Sequence, residues 1–81
     1  MLTELQTRYD GRKSFYKKAM VERNGNDLKL YSYNTLVAEI KDNKAILRGF
    51  YSSTTLRHQK EFLKQNGFNA ESKKQMKEYL I

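Results

Sequence analysis

Cysteine, proline and tryptophan are missing from this 81-residue chain, and glycine occurs only four times. Without cysteine there are no disulfide staples and no thiolate metal ligands, an absence that fits a reducing compartment. Without proline, no strand is demoted to a sheet edge. No glycine-rich phosphate loop is present. No apolar run approaches the length of a membrane-spanning helix, and the first residues, MLTELQTRYDG, lack the apolar core of a signal peptide. The expectation is a soluble protein of the bacterial cytoplasm that makes no membrane contact. Histidine occurs once, as His58, so nucleophilic triads and His/Cys zinc centres lack their parts. The nine carboxylates are scattered, with no spacing that asks for a paired-acid site. The chain therefore reads as no enzyme, with no metal and no cofactor, and His58 as a surface or boundary residue.

What is abundant is positive charge. Sixteen Lys and Arg face nine Asp and Glu, for a net charge of +7. Such an excess points to nucleic acid, DNA ahead of RNA, or to another acidic surface. The length allows one domain, residues 1–81, and a single sheet-and-helix core.

The organising stretch is residues 49–68, GFYSSTTLRHQKEFLKQNGF. Ser52, Ser53 and Thr54 offer N-cap oxygens. Asn66-Gly67-Phe68 reads as a Schellman stop, with Gly67 in the left-handed region. Between them, over about residues 53–66, a helix places Thr55, Leu56, Gln59, Phe62 and Leu63 on one face. Arg57, Lys60 and Lys64 form a basic stripe opposite.

Upstream, the period becomes two. Residues 15–22 alternate, residues 24–27 (NGND) make a turn, and residues 28–33 alternate again with Tyr31 and Tyr33 opposite Leu28 and Leu30. Residues 36–40 and 45–48 read as further strands around a turn at residues 41–44. After Phe68, Ser72-Lys73-Lys74-Gln75 has the form of a capping box, and Met76, Tyr79 and Leu80 follow at helical spacing. The predicted fold is α+β: an antiparallel three- to four-stranded meander over 15–48, a main helix over 49–68 and a short C-terminal helix over 69–81. Residues 1–14 read as a flexible or loosely docked basic arm.

Basic and aromatic residues are interleaved, as in Arg12-Lys13-Ser14-Phe15-Tyr16-Lys17-Lys18, around Lys29, Tyr31 and Tyr33, and at Arg48-Gly49-Phe50-Tyr51. Cations neutralise phosphates while aromatic faces stack on bases. Candidate contacts are Arg12, Lys13, Lys17, Lys18, Lys29, Tyr31, Tyr33 and Arg48, with Arg57, Lys60 and Lys64 on the helix. The competing assignment puts the tyrosines half-buried on the core face and the lysines on plain solvated surface. Phe15, Phe50, Phe62 and Phe68 read as core.

The order of strands and helix, with Arg48-Gly49-Phe50 before Ser/Thr and a helix, resembles the DNA-binding arm domains of phage and transposon integrases. There a three-stranded sheet enters the major groove and a helix braces it. The resemblance implies that Lys17, Lys29, Tyr31 and Arg48 touch DNA. The phrases RKSFYKKA, LYSYNTLVA and the 49–68 stretch resemble small uncharacterised proteins of bacteriophages and plasmids of Gram-positive bacteria, which implies a mobile-element origin. The function expected is non-catalytic nucleic-acid binding through a basic and aromatic sheet face, by a monomer or weak homodimer. The alternative is a phage-encoded inhibitor or adaptor acting on a host protein, such as an anti-CRISPR or other anti-defence protein. A third possibility is an assembly component that self-associates through an open sheet edge.

Overall fold

The structure, a computed structural model, describes all 81 residues. Five strands, β1 (Leu2–Glu4), β2 (Ala19–Asn24), β3 (Asp27–Ser32), β4 (Thr35–Lys41) and β5 (Lys44–Leu47), precede α1 (Ser53–Gln65). A single turn of helix, α2 (Lys73–Met76), and a 3₁₀ turn, Lys77–Tyr79, close the chain. All neighbouring strands pair antiparallel in the order β1-β2-β3-β4-β5. The architecture is the expected α+β meander with a main helix and a short terminal one, and it has one strand more than the upper sequence estimate. The addition is β1, in the stretch read as a basic arm, where Leu2 pairs with Glu22 and Glu4 with Met20.

Tight turns are possible without glycine because asparagine and aspartate tolerate left-handed backbone. The β3–β4 turn puts Tyr33 and Asn34 at φ 50° and 67°, and the β4–β5 turn puts Asp42 and Asn43 at 53° and 62°. Positive φ at both central positions is the type I′ requirement, and its twist matches that of the strands. The β2–β3 turn uses Gly25 at φ 65°.

The register sets which face is covered. Leu30 lies between Val21 and Ala38, Leu28 faces Ile40, and Ala38 faces Leu47. These side chains meet Phe62 and Leu63 of α1 in one core that also takes Leu5, Phe15, Ala70 and Met76. Burying a side chain such as Phe62 or Leu63 stabilises by about 1.5–3 kcal/mol. A bulge between Leu30 and Tyr31 opposite β4 gives Val37 no partner, yet Val37 is buried. Its carbonyl accepts the Gln59 Nε2–H at 3.1 Å, tying the bulge to the helix.

Both ends of α1 are closed as its sequence demands. Ser52 Oγ accepts the Thr55 N–H at 3.1 Å, which selects Ser52 among the three candidate caps. At the other end Phe68 N–H donates to the Leu63 carbonyl and Gly67 N–H to that of Lys64, the two Schellman bonds, with Gly67 at φ 85°. Ser72 caps α2 through the Gln75 N–H, while Gln75 Oε1 reaches the Glu71 N–H. The last residues lie along β5, where Ile81 N–H donates to the Leu47 carbonyl.

Three sequence expectations change here. Residues 15–18 are a turn, not the start of a strand; Lys18 N–H closes it on the Phe15 carbonyl, and β2 begins at Ala19. His58 is buried, 1% exposed, where a surface or boundary position was expected. Residues 5–15 line the flank of α1 instead of standing apart from it: Gln65 Nε2 donates to the Gln6 carbonyl, and the Phe15 ring packs edge-on against His58.

Candidate nucleic-acid interface

That flank is what assembles the candidate site. Glu61 lies in α1 with its carboxylate turned to the N-terminal segment and buried. Its Oε1 accepts the backbone N–H groups of Arg8, Tyr9 and Asp10 at 3.1, 2.9 and 2.8 Å. Successive N–H groups converging on one anion form a nest, and this one holds the loop that leads to Arg12. Asp10 extends the tie, accepting the Arg12 N–H and pairing with the Arg57 guanidinium at 3.3 Å.

At the same end of the molecule, the turn at residues 15–18 and the β3–β4 turn lie side by side, joined by Tyr33 N–H to the Lys18 carbonyl at 2.9 Å. Tyr16 and Lys17 have φ 51° and 63°. Left-handed backbone is unusual for a bulky residue, and two tyrosines adopt it here, Tyr16 and Tyr33. They stand 70% and 51% exposed. Between them and the first turn of α1 opens a cavity of about 180 Å³, lined by Arg12, Tyr16, Lys18, Tyr33, Arg57 and His58 among others. Lys18 Nζ stands 6.0 Å from the centre of the Tyr33 ring. The cavity thus has cations on its rim and aromatic rings in its walls.

His58 forms the floor. Its Nδ1 lies 2.8 Å from Ser32 Oγ, which in turn lies 2.9 Å from Thr55 Oγ1. The Tyr33 ring tilts over it at 5.8 Å between centres. Burial pushes the imidazole below its usual pKa; Asp10 opposes that shift and Arg12 adds to it.

The residues singled out in the sequence fall into three groups. Arg12, Lys18, Tyr33 and Arg57 meet at the cavity, and exposed Lys17 belongs to the same turn as Tyr16 and Lys18. Lys13 is exposed beside Arg12, its carbonyl accepting the Thr7 hydroxyl. Lys29, Tyr31 and Arg48 belong to the sheet face that α1 leaves uncovered. That face is not uniformly basic: Lys29 sits opposite Glu22 and Glu39, Arg48 pairs with Glu39, and Tyr31 Oη stands 3.5 Å from Glu22. On α1, Lys64 pairs with Glu71 at 3.3 Å, while Lys60 lies beyond Arg57 near Asp10. Tyr16, His58 and Glu61 were not among the predicted site residues. Glu61 and His58 fall on the helix side next to the apolar arc, at about 100° per residue, a position whose burial depends on what packs there.

Larger surface clefts, of about 320 and 390 Å³, include Arg23 and asparagines but no tyrosine. No cluster of three or more His, Asp or Glu side chains is arranged to hold a metal ion. No helix is long and apolar enough to cross a membrane.

Residues 3–78 match DUF8033, a family of unknown function. The chain belongs to this family. The match begins within β1 and ends within the 3₁₀ turn, so the DUF8033 unit includes β2 to β5, α1 and the loop that Glu61 holds. No curated protein and no solved structure matches. Membership in DUF8033 therefore brings no activity with it, and the reading of function rests on the geometry.

Proposed function

We propose that this protein is a non-catalytic nucleic-acid-binding protein of a mobile element, acting in the cytoplasm of a bacterial host. The observation that supports this is the meeting of Arg12, Lys18 and Arg57 with the exposed rings of Tyr16 and Tyr33 at one end of the fold. Cations there neutralise phosphates and the tyrosines offer stacking surfaces, the combination single-stranded nucleic acid needs. The contact surface is thus the turn end of the sheet, not its uncovered face. Arg12 and Lys18 have no acidic partner, so their charge is available to a ligand, whereas Arg57 shares its charge with Asp10. DNA is the favoured form.

Fluorescence anisotropy with labelled single- and double-stranded DNA and RNA across a salt series tests the proposal. Micromolar single-strand binding is expected, falling with salt at a log–log slope of about −3 if four cations reach phosphates. Charge reversal at Arg12, Lys13, Lys17 and Lys18 together is expected to abolish it without unfolding the domain. Binding that is equal for every polyanion and gone by physiological salt would refute the proposal.

A second reading has its own support. The uncovered sheet face carries half-buried Met20, Leu36 and Ile46 among charges of both signs, a composition suited to a protein surface. A host-protein inhibitor or adaptor would use that face, and charge reversal at the turn end would leave its binding unchanged.

A further inference from the structure

The cavity's floor is more specific than its rim. His58 is 1% exposed. Its Nδ1 is engaged by Ser32, and Nε2, on the other side of the ring, has no hydrogen-bond partner in the protein. Gln59 Oε1 is the one side-chain polar atom that is both fully buried and unpaired. Nε2 therefore keeps a small solvent contact, in a residue that lines the cavity.

Two proton arrangements satisfy the hydroxyls behind the ring. Ser52 Oγ accepts the Thr55 N–H and lies 3.3 Å from Thr55 Oγ1. In the first arrangement Ser52 donates to Thr55, Thr55 donates to Ser32 Oγ, and Ser32 to His58 Nδ1. In this direction every hydroxyl has an acceptor. In the reverse arrangement Nδ1–H donates to Ser32, Ser32 to Thr55 and Thr55 to Ser52, whose exposed hydroxyl turns to water. The first arrangement makes Nδ1 the acceptor and Nε2 a neutral N–H donor beside a cavity with cations around it. Such a donor wants an anionic oxygen.

The size of the cavity limits what brings that oxygen. About 180 Å³ is close to the roughly 150 Å³ in which an apolar site accommodates one benzene. One ring or one phosphate group fits inside, with the rest of a nucleotide over the open rim; a duplex does not enter. Tyr16 and Tyr33 hold the strained backbone described above on either side of the opening, and such strain concentrates at binding sites. We propose that the first arrangement holds and that this cavity takes the phosphate of a single unstacked nucleotide, held by Arg12 and the His58 Nε2–H, with its base against the exposed Tyr16 and Tyr33 rings at the rim. Lys18 and Arg57 add charge at the rim, with Asp10 subtracting part of it. The inference rests on the nucleic-acid reading for the source of the nucleotide; the same chemistry is offered by a free mononucleotide.

The test is the imidazole ¹⁵N spectrum of the full-length protein, with oligothymidylate, thymidine 5′-monophosphate and thymidine as probes. The free protein is expected to show the neutral Nε2–H tautomer. Saturating oligothymidylate and the monophosphate are expected to shift Nε2, and thymidine to leave it in place. Arg12→Ala, at an exposed side chain, is expected to weaken oligonucleotide binding about tenfold. A strand that binds by anisotropy without moving Nε2, or an Nδ1–H tautomer, would overturn the pocket and leave the nucleic-acid reading standing. A shift with the monophosphate but no strand binding would keep the pocket, for free nucleotides, and remove that reading. No Nε2 shift with any probe, together with no anisotropy change for any strand, would end both.

Discussion

Replacing Glu61 by alanine is expected to release residues 8–14 from α1 and, with them, the Arg12 side of the cavity. The carboxylate is 2% exposed and accepts three backbone N–H groups through one oxygen and the Gln65 amide, at 2.7 Å, through the other. A hydrogen bond to a charged group contributes about 1.5–3 kcal/mol net. The three backbone donors lie in a loop that can turn to water, so the contributions do not sum. Allowing for that rescue, the expected loss is about 2–3 kcal/mol, or roughly 10–20 °C in Tm for a domain of this size. Glu61→Gln keeps an acceptor oxygen and is expected to lose about half as much. Urea denaturation gives the energies, and amide exchange at Arg8, Tyr9 and Asp10 reports the loop itself. Alanine with stability within about 0.5 kcal/mol of the parent and undiminished protection of those three amides would refute the claim that Glu61 holds the loop.

Other consequences follow from single features. Because burial lowers the His58 pKa below 6.5, the folded state resists protonation that the unfolded chain accepts. Stability is expected to be full above that value and to fall as pH drops through it, by at most about 1.4 kcal/mol per pH unit from this one group. Asp10, Arg12 and the Ser32 hydroxyl bear on the ring, so the comparison of urea midpoints at either side of pH 6.5 should be repeated in Arg12→Ala, where the fall becomes shallower. Tyr16→Asn relieves a left-handed tyrosine and is expected to stabilise by about 0.5–1 kcal/mol while weakening single-strand binding, a trade readable by paired denaturation and anisotropy. Gly67→Ala meets no neighbour within 4 Å, yet φ 85° disfavours a side chain; a stability lower by about 1–2 kcal/mol is expected in urea denaturation.

The resemblance to integrase arm domains implied DNA contacts spread along the strands. The structure divides them: Lys17 belongs to the turn end, while Lys29, Tyr31 and Arg48 lie on a face where Glu22 and Glu39 offset them. The turn end, where Arg12 and Lys18 have no acidic partner, is the less compensated of the two, and a field built from both signs attracts a polyanion weakly.

Local chemistry was written in the sequence itself. The alternation of Leu28 and Leu30 with Lys29 and Tyr31, the Asn-Gly and Asp-Asn turns, the Ser52 cap and the Gly67 stop all act within a few residues. Each was readable from neighbouring residues, although the choice of Ser52 over Ser53 and Thr54 as the cap came only with the structure. The tertiary structure decided everything that depended on what lay across from a residue. His58 and Glu61 sit beside the helix's apolar arc, where burial needs a neighbour, and residues 5–15 supplied it. Phe15 covered the one ring and backbone N–H groups met the other carboxylate. β1 is three residues long and carries too little pattern to announce itself, so its pairing with β2 depended on the ladder already formed. The cavity combines Arg12 from a loop, Lys18 and Tyr33 from two turns, and Arg57 and His58 from a helix. Segments this far apart in the chain come together only when the sheet register and the helix packing are set, so no spacing along the sequence announces them.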